Sequence, residues 1–527
     1  MQAFHFDFNT AHFKPEYIKK RLDILRLSGY DTILWEMEDA VRFSCQPEIA
    51  AEDSFSQEEW NEILHYGTRK GFKHIPLLQC AGHVEYILRH KQNRHLAEND
   101  SGYCYCLSNP ELPNFLKKML LEVRQMFPDA EYFHIGCDET RMLGTCPKCS
   151  AAADRLGKAQ FLLQHIVNIH DFLKAAGVKT AIWADLAVGH PEVLPHLPDD
   201  ILLFDWHYDL HHDSSRIYIP GAKDLVQTNN TWSATENIPA EYIPCLFPEG
   251  SSRPDPFYFS RYLTGRNIQT AVCSSTSCSG ENDFCGNALQ RIKNVFDSAS
   301  AGCRAAGTLV TSWTQHLFPY ELQDAAIAAC PAAVSGEYKN AEAFLSGYGQ
   351  KHFGSETAGK LFPEVIKDLS SNCLFADTKG MGHSKFRKVP RKDHYSAVIA
   401  RMDEDCLDRN IQQADQALSA YFRAERNLAV IRETATAALD ELDIWILAAR
   451  NLQLRARFAL LMLYRTGHRE QVFTDKIIQD FIVLREQTSQ MYKDKLTEKC
   501  LQRFLYILFD LPLTTLQNLE KDIFFPE

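Results

Sequence analysis

Eight short apolar runs recur through roughly the first 310 residues, and helical patterns fill the gaps between them. The runs are AFHFDF (3–8), TILWEM (32–37), HIPLLQ (74–79), YFHIGC (132–137), TAIWAD (180–185), ILLFDW (201–206), IQTAVCSS (268–275) and TLVTSW (308–313). None alternates strictly with polar residues, which suits strands covered on both faces. One helix is expected after Pro15, with Gly29 as its C-cap; another opens on Ser56 with Glu59 three residues on, a capping box. LPNFLKKMLLEVRQMF and GNALQRIKNVFDSASAGCRAAG are two more. Eight strand–helix units in series predict an α/β fold, a TIM (β/α)8 barrel. The longest interruption, about 209–260, reads as long loops over the mouth, with room for a small subdomain.

After Trp313 the strand pattern stops. Segments 336–372 and 393–508 carry apolar residues at three and four spacings and predict long helices, with a Gly/Lys/Arg-rich linker at 377–392. The chain of 527 residues is long for one core. The expected division is a catalytic barrel over 1–330 and an α-helical C-terminal domain over 331–527. That second part shows no clustered acid, His or thiol motif, so it is expected to pack on the barrel or to mediate a homodimer.

Charge narrows the partners. Lys and Arg number 56 against 68 Asp and Glu, 56 − 68 = −12, without a long basic run, which excludes a nucleic-acid backbone as the expected partner. No apolar run approaches the roughly 20 residues of a membrane span. The N-terminus, MQAFHFDFNT, lacks a basic start followed by an apolar stretch, and the 16 Cys are scattered. Reduced thiols and a cytoplasmic location are the expectation.

In a TIM barrel the chemistry sits past the C-terminal ends of the strands. The first run ends at Asp7, and the second continues into Glu36, Glu38 and Asp39. The third leads to His83, and the fourth ends in the adjacent acids Asp138 and Glu139. The later ones give Trp183 with Asp185, Trp206 with Tyr208, and Trp313 with Glu321 beyond it. Such a mouth is an acidic, aromatic-walled cup. Sugars suit it, because hydroxyls bind carboxylates while ring faces stack on indoles.

HIGCDE (134–139) resembles the His-x-Gly-x-Asp-Glu signature of family 20 glycoside hydrolases, the β-N-acetylhexosaminidases. WEMED (35–39) resembles that family's second-strand motif and AGH (81–83) its Pro-Gly-His motif, while Trp183, Trp206 and Trp313 match its aromatic pocket. The likeness covers about residues 1–330, and the short form resembles the hexosaminidase D subgroup. Three features depart from the family. Gln2 and Ala3 stand where it carries an Arg, Trp-Thr-Gln replaces Trp-x-Glu, and its Tyr-x-Asp is missing, so that Tyr208 takes the tyrosine's place.

The resemblance implies a retaining exo-β-N-acetylhexosaminidase acting on terminal β-linked N-acetylglucosamine or N-acetylgalactosamine of a small carbohydrate or glycoconjugate, with no cofactor and no catalytic metal. Family 20 is an exception to the two-carboxylate scheme, because the substrate's own acetamido oxygen attacks. Glu139 would then be acid and base, Asp138 would accept the acetamido N–H, and Tyr208 would hold the acetamido oxygen. Asp7, Trp183, Trp206, Trp313 and Glu321 would bind the sugar, and His83 with Asp39 would relay to Glu139. An apolar pocket and the charge of Asp138 are expected to raise the pKa of Glu139. A two-carboxylate β-glycosidase and a sugar-binding barrel without turnover are the rival readings. Cys104, Cys106, Cys146 and Cys149 fit a structural zinc, a disulfide or free thiols.

Overall fold

The computed structural model describes residues 1–524 apart from 220–224, 229–230, 235–237, 250, 279–280, 303–304, 314–318, 378–393 and 467–473. Eight parallel strands close a barrel: β1 (Gln2–Asp7), β2 (Thr32–Glu36), β3 (Lys73–Leu77), β4 (Tyr132–His134), β5 (Lys179–Trp183), β6 (Leu202–Trp206), β10 (Thr270–Ser277) and β11 (Gly307–Ser312). All eight runs expected from the sequence are barrel strands, and β1 closes on β11 through Gln2, Ala3 and Phe4.

Two-sided burial accounts for the missing alternation. Ala3, Leu34, Ile75, Leu77, Ala181, Leu202, Phe204, Ala271, Cys273 and Leu309 fill the barrel interior. Their neighbours Phe4, Phe6, Ile33, Trp35 and Leu203 pack outward against the helices. Because side chains alternate along a strand, the inward set can be followed to the mouth. Ala3 gives way to His5 and Asp7, Leu34 to Glu36, Leu77 to Gln79, and Phe204 to Trp206. The same face is apolar at the bottom and polar or aromatic at the top, which is how the fold delivers its functional groups.

The helices form where the pattern places them. Pro15–Leu27 is followed by Gly29 at φ +99. Gln57–Arg69 has a complete capping box, with Glu59 N–H donating to Ser56 and Ser56 N–H to Glu59. The excursion between β6 and β10 holds a three-stranded antiparallel sheet of β7 (Arg216–Ile217), β8 (Leu225–Thr228) and β9 (Thr231–Ala234), so it is more than loop. The linker expected at 377–392 lies, except for Asp377, outside the described residues.

Beyond the barrel run long helices, among them Glu404–Thr434, Leu439–Thr466 and Thr474–Tyr492. Their far end reaches back to the first loop of the barrel. Lys14 N–H donates to Lys495 O at 2.8 Å and Thr497 N–H to His12 O at 2.9 Å. Arg503 donates to Thr10 O. Among the described residues no helix is long and apolar enough to cross a membrane.

Candidate active site

A cavity of about 690 Å³ opens at the C-terminal end of the strands. Asp7, Glu36, Glu38, Glu85, Asp138 and Glu139 line one side, and Trp183, Trp206, Tyr208 and Trp313 line the other. Eight residues expected at the site are thus brought together: Asp7, His83, Asp138, Glu139, Trp183, Trp206, Tyr208 and Trp313. Trp183 and Trp313 have ring centroids 5.9 Å apart, Tyr208 stands 6.1 Å from Trp313, and Trp206 stacks on Tyr208 at 5.0 Å.

The adjacent acids owe their aim to a local backbone inversion. β4 stops at His134, and Gly136, Cys137 and Glu139 then take φ values of +66, +71 and +42. Left-handed φ is costly for residues with a Cβ and persists where the surroundings enforce it. Glycine is favoured here for a second reason: a Cβ at Gly136 would lie 1.8 Å from Gln79 Oε1 and would force that side chain to move. Gln79 in turn donates to Glu36 Oε1 at 3.0 Å, and His5 Nε2 lies 3.0 Å from Glu36 Oε2. His83 and Glu38, also on the cavity wall, have φ of +55 and +43.

His83 sits between the two acids. Its Nε2 lies 3.2 Å from Asp138 Oδ2, 3.4 Å from Glu139 Oε2 and 3.0 Å from the Tyr103 hydroxyl. Burial alone would lower its pKa, but the charge of Asp138 and hydrogen bonds to both carboxylates hold it well above the ordinary imidazole value. The other oxygen of Asp138, Oδ1, is buried without a hydrogen-bond partner, as is Trp183 Nε1. Both belong to residues that face the cavity.

Glu139 differs from the expectation. Its pKa is not raised but lowered to about 2. The hydrogen bond from His83 is the main cause; burial opposes it, and the charges of His83 and Arg141 add to the lowering. The carboxyl that is raised is Asp185, pushed up to about 7 by burial and then by the charge of Asp138. Asp185 Oδ2 accepts Glu139 N–H at 3.1 Å and its Oδ1 accepts the Trp206 indole N–H, so it fixes the backbone that carries the acid.

Two expected site residues lie elsewhere. Glu321 does not line the cavity: its carboxylate accepts from Tyr17 and Lys495, each at 2.7 Å. Asp39 is buried behind the wall, 2.9 Å from Arg89 and 3.6 Å from His12, while His83 turns to Asp138, Glu139 and Tyr103. The glutamine of Trp-Thr-Gln, Gln315, lies outside the described residues. Sequence reasoning missed Tyr103, Asn9, Gln79 and three cations, Arg89, Arg94 and Arg141. The resemblance offered one signal: a strand-one Arg is absent, and positive charge enters this cup from other loops.

Residues 3–232 match glycosyl hydrolase family 20, catalytic domain. Hexosaminidase D of Bos taurus is 29% identical over 229 residues, covering 40% of this chain and 65% of that protein. Hexosaminidase D of Homo sapiens is 28% identical over 261 residues, covering 47% of this chain and 49% of that protein. The matches therefore span less than two thirds of either relative. Among solved structures, Flavobacterium johnsoniae chitobiase is 14% identical with a TM-score of 0.48, covering 97% of this chain and 77% of that one. Over residues 3–232, from β1 into β9, this chain is therefore similar to the catalytic domain of glycosyl hydrolase family 20, with hexosaminidase D among the proteins it resembles.

Proposed function

We propose that this protein is a retaining exo-β-N-acetylhexosaminidase that releases terminal β-linked N-acetylglucosamine or N-acetylgalactosamine by substrate-assisted catalysis. The observation that carries the reading is Asp138. One of its oxygens is engaged by His83 while the other, Oδ1, is buried and unpaired beside an aromatic wall. A buried acceptor left open in a cavity calls for a donor from a ligand. The acetamido N–H of a 2-acetamido sugar supplies one, and accepting it aligns the acetamido oxygen for attack on the anomeric carbon.

Glu139 protonates the leaving oxygen and later activates water. Because His83 and Arg141 hold its carboxyl low, the free site keeps its proton on His83 rather than on Glu139. The leaving group competes with Arg141 for Glu139, and the proton shared across His83, Glu139 and Tyr103 belongs to the cluster rather than to one residue. Positive charge on the oxazolinium is stabilised by ionised Asp138. Tyr208, fixed between Trp206 and Trp313, is the group we assign to the acetamido oxygen.

We further propose that the chain divides near residue 330 into the barrel and a helical domain that braces it. We place the protein in the cytoplasm, a reading supported by the fifteen described cysteines, all free. A panel of chromogenic β-glycosides tests the activity: hydrolysis of the N-acetylglucosaminide or N-acetylgalactosaminide with little on the plain glucoside is expected. Equal rates on both, with a 2-fluoro sugar trapped on a carboxylate, would point to a two-carboxylate enzyme. Binding without hydrolysis of any would leave a sugar-binding barrel.

A further inference from the structure

Two loops frame Glu139. Residues 94–106 bring Arg94, Ser101, Gly102 and Tyr103 to the cavity, and residues 139–146 bring Arg141 and Met142. The loops meet behind the wall, where three thiols and a carboxylate converge. We propose that Glu98, Cys106, Cys146 and Cys149 form a structural zinc site that pins these loops together.

The geometry is that of a tetrahedral thiolate site. One ligand atom from each residue lies within 4.8 Å of all the others. Cys106 Sγ is 3.6 Å from Cys146 Sγ and 3.6 Å from Cys149 Sγ. Tetrahedral zinc with bonds near 2.3 Å requires sulfurs about 3.8 Å apart, far beyond the ~2.0 Å of a disulfide. Cys146-Pro-Lys-Cys149 has the two-residue spacing of a zinc knuckle, and Cys149 N–H donates to Cys146 Sγ at 3.4 Å, an orientation that supports a thiolate.

Glu98 points to an ion independently of the thiols. It is 2% exposed. One oxygen accepts the N–H groups of Thr145 and Cys146 at 2.8 and 3.0 Å, whereas no N–H or O–H reaches Oε2. A buried carboxylate oxygen that meets only thiols, which are weak donors, is poorly compensated, and a cation would compensate it in full. Zinc supplies that charge, and its binding releases the thiol protons to solvent. Cys104, the fourth thiol that the sequence offers, is outside the cluster, and Glu98 takes its place.

The test is metal content of the full chain, purified under reducing conditions without chelator and then desalted. About one zinc per chain is expected, and replacement by cobalt should give thiolate-to-metal charge-transfer bands with tetrahedral d–d bands. Cys146→Ser and Cys149→Ser should lower the zinc content at least about tenfold, while Cys104→Ser keeps it. Wild-type protein that holds no zinc after incubation with zinc chloride, or a cobalt form without charge transfer, overturns the site. Loss of zinc in Cys104→Ser equal to that in Cys149→Ser overturns the ligand set. If the ligand variants fail to fold, wild-type stoichiometry and the cobalt spectrum still decide.

Discussion

The two walls of the cavity divide the work. Strands β1 to β4 and their loops supply Asp7, Glu36, Glu38, His83, Asp138 and Glu139, a wall of charge held by short contacts and strained backbone. Strands β5 and β6 end in Trp183 and Trp206, and β11 leads into Trp313, a wall of packed rings. Damage to the first wall should appear in turnover and pH dependence. Damage to the second should appear in binding, because stacking acts on ground and transition states alike.

Four changes test that division, and Glu139→Gln should have the largest effect. Removing the proposed proton donor should lower kcat about 10²–10⁴-fold on a natural disaccharide, and less on an aryl glycoside with a good leaving group. Steady-state rates on both substrates check this, and unchanged disaccharide hydrolysis would reassign the acid. Asp138→Asn comes next, with an expected loss of about 10²–10³-fold in kcat and weaker inhibition by a thiazoline mimic of the intermediate.

Trp313→Ala should raise KM by about tenfold and leave kcat within a few-fold, since one aromatic contact is worth roughly 0.5–1.5 kcal/mol beyond area burial. A kcat loss larger than the KM rise would mean the aromatic wall also orients the reacting groups. The smallest effect at the pH optimum belongs to His83→Gln, read in the pH profile. The raised pKa of His83 makes its pairing complete below about 6.5 and lost as pH rises through the raised value. Glu139, lowered to about 2, contributes above the ordinary carboxylate value and loses its pairing as pH falls toward 2. Without His83 the acid is Glu139 alone, and the alkaline limb of kcat/KM should fall by more than about one pH unit. An unmoved limb would show that His83 does not hold the proton.

The barrel was legible in the sequence because two-sided burial leaves apolar runs between helices of recognisable period, down to the Ser56–Glu59 capping box. The adjacent acids were legible because they follow a strand and inherit its position. Tyr103 and Arg141 were not, since the loops that deliver them have no period, and neither lies within a strand or helix. Glu321 misled for a related reason. Nearness to Trp313 in sequence says nothing about facing, and its partners Tyr17 and Lys495 lie 304 and 174 residues away. The protonation of Glu139 depends on His83 and Arg141, which the local motif does not contain as a unit.

The anchoring of the first loop has a consequence for synthesis. Asn9 and Thr10 line the cavity, yet Arg503 clasps Thr10 from a position 493 residues further along the chain. At translation rates of about 5–20 residues per second, that clasp reaches the ribosome's exit roughly half a minute or more after the loop it secures. A nascent chain that already contains all eight strands still holds an unfastened mouth. The helical tail thus writes the order of manufacture into the cavity: the first cavity residues to be made are among the last to be fixed in place.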